Sequence, residues 1–178
     1  MIRYLLIFFI SLINAQSLEN LLEDNYSFEA DITIEQNNLI QSSAKIRFTK
    51  GNYIISEIKP INQTIAKINE SIFIQDDDFR QVISRKNDRK LIFNVLSDYN
   101  KFALGRCNEL CYCLNEYYDY TNLCIKFLDS RISQISFTDI NQIENIISFD
   151  NFVKGDFNIS YNPPKTYDFI ANDWFQFT

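Results

Sequence analysis

The chain has no histidine, and only three glycines, three prolines, one tryptophan and one methionine in 178 residues. Without histidine it lacks the commonest general base, the Ser-His and Cys-His nucleophile pairs and most zinc sites. The reading is therefore of a protein that is not an enzyme and carries no cofactor. So little Gly and Pro leaves no linker to divide the chain, and no internal repeat is present, so residues 16–178 read as one domain. The formal net charge of -6 excludes an extended nucleic-acid backbone as partner.

Long apolar runs are missing too, apart from residues 4–13. That run follows the basic start Met1-Ile2-Arg3 and ends near Ala15, the layout of a secretory signal peptide cleaved between Ala15 and Gln16. The alternative, an uncleaved anchor, would need roughly 20 apolar residues to span a bilayer. Position 16 is Gln and not Cys, so no lipid is expected at a new N-terminus. The expectation is an exported protein.

What the chain does have is β alternation. Residues 60–85 read as three short antiparallel strands, 63–68, 71–75 and 79–85, turned by Asn69-Glu70 and by Asp76-Asp77-Asp78. Upstream, Phe28, Ala30, Ile32 and Ile34 alternate with Glu29, Asp31, Thr33 and Glu35. After Asn37-Asn38 comes a second alternating strand with Ile40, Ala44, Ile46 and Phe48, then a turn at Lys50-Gly51 and a third strand over 53–58. Further strands are expected at 110–114, 123–128, 131–138, 142–149 and 157–161. A helix capped by Ser17 is expected over 17–24. A second is expected over 87–104, where Leu91, Ile92, Val95 and Leu96 share a face. Such a helix suits a flap over one mouth of the sheet, or plain packing. The apolar tail after Tyr167 is expected to lie on the body. The total is ten or eleven strands with two or three helices.

Cys107, Cys111, Cys113 and Cys124 fall within eighteen residues, and an even count in an exported chain favours two disulfides. Cys111 and Cys113 share a strand face and are poorly placed to bond each other. This favours Cys113–Cys124 across the hairpin and Cys107–Cys111 locally. A four-thiolate metal site is the sharper alternative, but the paired C-x-x-C knuckles it needs are absent, and no metal is expected. The Asp76-Asp77-Asp78 triplet lacks the Gly and distal Glu of a calcium loop and reads as a solvated turn. Four Asn-x-Ser/Thr matches, at Asn25, Asn62, Asn69 and Asn158, are of the kind chance supplies in an Asn-rich chain. The alternating Ile and Phe positions fit either an ordinary sandwich core or a concave face wide enough to leave an apolar pocket.

The order of these segments resembles the periplasmic outer-membrane lipoprotein carrier family, LolA. The matching stretches are SFEADITIEQ at 27–36, Pro60-x-x-Gln63-x-Ile65 followed by QDDDFRQV at 75–82, and Asp139-x-x-Gln142 with the strand to Phe149. Phe157-x-Ile159, Pro163-Pro164 and Asp168 complete the series. The resemblance implies a mainly β (α+β) fold, an unclosed antiparallel half-barrel of about eleven strands with a helical lid over an apolar cavity. It implies a periplasmic monomer that takes acylated lipoproteins from an inner-membrane ABC transporter and delivers them to an outer-membrane receptor. On that reading the acyl cavity is lined by Phe28, Ile32, Phe48, Ile55, Ile74, Ile135, Phe137 and Phe149, with Leu91, Ile92 and Val95 on the lid. Where the family carries Arg-Pro to tie the lid, this chain has Thr49-Lys50-Gly51, and Lys50 is the nearest cation. The cysteine cluster is not part of the family pattern. The competing expectation is a periplasmic sensor or interaction module on the same half-barrel, binding a protein segment at an exposed edge.

Overall fold

Strict alternation along 27–36 and 39–49 makes both segments strands with one apolar side. In the computed structural model, which describes residues 17–86, 91–99, 104–108 and 110–171, they are β1 (Ser27–Gln36) and β2 (Leu39–Thr49). Asn37 and Asn38, both at positive φ, form the two-residue turn between them. The meander continues through β3 (Asn52–Lys59), β4 (Gln63–Ile68), β5 (Ser71–Asp76) and β6 (Gln81–Lys86). A 3-10 turn (Ile92–Asn94) runs into the short helix α2 (Val95–Asp98). Then come β7 (Gly105–Asn108), β8 (Cys111–Tyr117), β9 (Tyr120–Leu128), β10 (Arg131–Thr138), β11 (Glu144–Lys154) and β12 (Asp168–Ala171).

All twelve strands belong to one unclosed sheet, ordered β12-β6-β5-β4-β3-β2-β1-β11-β10-β9-β8-β7. Pairing is antiparallel throughout, except that β12 runs parallel to β6. The register carries the apolar positions into continuous rows. Phe28 faces Phe48, which faces Tyr53. Ile34, Ile147, Ile135, Ile125 and Tyr112 form a second row across five strands. These rows make one side of the sheet the core.

One end of the core is closed by α1 (Leu18–Glu23), whose N-terminal amide at Asn20 is capped by Ser17 Oγ at 3.2 Å. Leu21 and Leu22 are buried. The buried Asn25 ties the helix to the β9–β10 turn, donating from Nδ2 to the carbonyls of Leu21 and Ser130. On the opposite side of the sheet, Cys113 pairs with Cys124 across the β8–β9 hairpin and Cys107 with Cys111 locally.

Three expectations change. The strand count is twelve, because β7 and β12 form where none was marked. Residues 157–161 are not a strand. Phe157, Ile159 and Tyr161 do alternate in burial, but they lie as an extended strap across the outer side of the sheet, held by side chains. Thr49 Oγ1 donates to the Phe157 carbonyl at 2.9 Å, and the Phe157 amide donates to Ser27 Oγ at 3.3 Å. The period of two reports one side facing protein, whether or not a ladder is present. The helix expected over 87–104 is, in the described part, only the turn and α2; residues 87–90 and 100–103 lie outside the described residues, as do 1–16, where the signal peptide is expected, and 172–178.

Candidate functional site

The inner face of the sheet and the lid over it form the candidate site. Six residues expected at the cavity, Phe28, Ile32, Phe48, Ile55, Ile135 and Phe149, belong to one buried cluster, and Phe137 is half-buried against it. Ile74 stands apart: it is half-buried, opposite Ile65 and Ile83 toward the β6 side of the sheet. The cluster is aromatic at its centre. Phe28 stacks on Phe48 at 5.3 Å and on Phe152 at 4.6 Å, and meets Phe149 edge-on at 6.1 Å.

On the lid, Val95 is fully buried while Leu91 and Ile92 are half-buried against the cluster. Phe93 was not singled out from sequence, yet it is the lid's main anchor. Its ring meets Tyr53 at 5.6 Å and Phe149 at 6.4 Å. The signal was present, since Phe93 lies three residues before Leu96, and both are buried.

The lid's other contact is with the β2–β3 turn. Gly51 sits at φ +81°, and a Cβ added there would lie 3.1 Å from both Cβ and Oγ of Ser97 on α2. Only glycine combines that conformation with that approach. Lys50, the expected lid cation, is exposed and rests over the Tyr26 ring with Nζ 5.7 Å from the centroid. Among the described residues the buried cation is Lys67, 7% exposed. Its Nζ donates to the Gly51 carbonyl and lies 6.0 Å from the Tyr53 ring centroid. A buried ammonium persists only where such bonds repay its lost hydration. Lys67 was missed because in the sequence it is one alternation among many; register places it opposite Tyr53.

Tyrosines rim the interior. Burial pushes the hydroxyls of Tyr53 and Tyr117 well above the ordinary tyrosine range, so both stay protonated. Tyr117 stacks on Tyr120 at 6.4 Å, and Tyr120 meets Phe137 edge-on at 5.0 Å. The inner face is thus an apolar interior whose aromatic side chains pack on one another, with a few neutral hydroxyls and one bonded ammonium. An open groove of about 700 Å³ lies at the far ends of β2 and β3, lined by Ile40, Ile58, Pro60 and Ile61 among others. Ile58 also belongs to the buried cluster, so the groove abuts the core.

The Asp76 turn is built for structure. Asp76 Oδ1 accepts from the amides of Asp78 and Phe79, and Gln63 Nε2 donates to Oδ2 at 2.9 Å. Gln63 first, then Phe79, hold its carboxyl below the usual range.

No family model and no curated protein matches the chain. Among solved structures, it is similar to a LolA superfamily protein, NE2245 from Nitrosomonas europaea, at 10% identity over 80% of this chain and 96% of that one, with a TM-score of 0.43. It is also similar to an uncharacterized conserved protein from Thermus thermophilus, at 13% identity over 88% of this chain and 99% of that one, with a TM-score of 0.54. That second likeness shows a shared fold across nearly the whole of both chains.

Proposed function

We propose that this protein is a periplasmic carrier of acyl chains, sheltering the lipid anchors of lipoproteins between an inner-membrane ABC transporter that releases them and an outer-membrane receptor. The observation that carries the reading is an unclosed sheet whose inner face is a continuous apolar surface covered by a short helical lid. Burial is worth about 0.8 kcal/mol per methylene, so a triacylated anchor needs such a cover to cross water. A sheet that does not close can spread, and a lid that rests on apolar contacts can be replaced by a ligand of the same character. The groove beside Ile58 gives a chain somewhere to lie next to the core.

The test is native mass spectrometry of the protein exported by a Gram-negative host. Bound phospholipid or lipoprotein, diminished by Leu91→Glu on the lid, is the expected result. A lipid-free protein that also takes up no acylated peptide would sink the carrier reading. It would turn attention to the sheet's two terminal strands, β7 and β12, all of whose residues are exposed. That is where an interaction module would add a partner strand.

A further inference from the structure

Among the described residues, the interior holds a hydroxyl that the folded chain does not use. Tyr53 is 1% exposed, and its Oη is buried without a hydrogen-bond partner. A hydroxyl removed from water and given no partner opposes folding, and phenylalanine would fill the same space without that cost. A buried polar atom left over in this way calls for a specific explanation.

The ring is fixed on three sides. Phe48 stacks on it at 6.4 Å, Phe93 of the lid meets it edge-on at 5.6 Å, and the Lys67 ammonium sits over it. Burial chiefly, with Tyr120 adding and Arg85 opposing, keeps the hydroxyl protonated, and it in turn acts on Tyr117. With Phe93 over it, the ring lies beneath the lid.

Building on the carrier reading, we propose that Tyr53 is the polar contact for the cargo: with the lid raised, its O–H donates to the ester or amide carbonyl of an acyl chain on the inner face. The chemistry is complementary. An acyl chain carries hydrocarbon plus a carbonyl that only accepts, and an apolar site that buries that carbonyl must supply a donor. The lid residue Phe93 covers Tyr53, so the donor becomes available in the same movement that makes room for the chain. The site then distinguishes acyl from alkyl chains, because a ligand lacking the carbonyl leaves the hydroxyl unbonded.

A matched pair of ligands tests this: ethyl hexadecanoate, and the thioether of equal length, ethyl hexadecyl sulfide, whose sulfur is only a weak acceptor. Each is titrated against a fluorescent apolar dye bound to the full chain, wild type and Tyr53→Phe. Wild type should bind the ester about threefold to tenfold more tightly than the thioether, the range one net hydrogen bond supplies. Tyr53→Phe should bind the two equally and melt no lower than wild type. The ester carbonyl stretch in the wild-type complex should also lie below its position in hexane. An equal preference in both proteins, no preference in wild type, or an unshifted carbonyl would overturn the role of Tyr53 while leaving the carrier standing. Failure of both ligands to displace the dye would remove the carrier reading and this one together.

Discussion

The lid on the inner face and the C-terminal strap on the outer face cover the same sheet by different means. The lid buries Phe93, Val95 and Leu96 together with Asn94, and the Phe93 ring is set against Tyr53 and Phe149. The strap is bonded residue by residue. Phe157 is held by Thr49 and Ser27, Tyr161 donates to Gln75 at 2.9 Å, Tyr167 donates to Asp77 at 3.0 Å, and β12 then joins β6. Arg47 and Arg80 lie over the Phe157 and Tyr167 rings. Apolar contact is non-directional, so any hydrocarbon can substitute for the lid. Hydrogen bonds are directional, and breaking one strands its partner. The comparison teaches how differently two covers of one sheet are held: the lid by apolar packing, the strap by directional bonds.

The largest test of that contrast is Phe93→Ala. It should lower the unfolding free energy by about 3 kcal/mol, as expected for a buried aromatic, and increase binding of an apolar dye in a thermal and fluorescence titration. A comparable rise in dye binding from Phe157→Ala on the strap would erase the distinction. Gly51→Ala comes next. At φ +81° and 3.1 Å from Ser97, the new methyl should cost about 1–2 kcal/mol and speed amide exchange over 92–98 more than over β12. Uniform acceleration across both would show that the turn does not bear on the lid in particular.

Tyr161→Phe removes one strap bond and should cost about 1 kcal/mol in chemical denaturation, leaving dye binding unchanged. The smallest effect is one of pH. Burial, with Asp77 and Tyr167 adding, pushes the Tyr161 hydroxyl up to about 12. Tyr167 is raised chiefly by its bond to Asp77. A raised pKa means the folded state favours the protonated hydroxyl. That stability is whole below the ordinary tyrosine value of 10 and is lost as pH rises through about 12. Alkaline titration followed by amide exchange should therefore release the strap before the lid; the reverse order would contradict this account.

Much of this was legible in the chain. The alternation at Phe28, Ala30 and Ile32 and the turns at Asn37-Asn38 and Asn69-Glu70 mark strands because side-chain period and turn chemistry are local properties. The pairing of Cys113 with Cys124 follows the same logic, since directly opposed residues on one face come within bonding reach. The strap was harder. Phe157, Ile159 and Tyr161 alternate as a strand does, and only the position of the sheet beneath them shows that they cover it instead of joining it.

By itself, then, the sequence determined most of the strands, their apolar sides and an interior of Ile and Phe, because each depends on residues a few positions apart. The tertiary structure alone decided the rest. It set Lys67 against Gly51, brought Ser97 onto that turn, placed Tyr53 beneath Phe93, and laid residues 157–161 over the outer face. These are meetings between segments distant in the chain. They depend on how a twelve-stranded sheet bends, and that is set by the summed twist and packing of all its strands and by no single one.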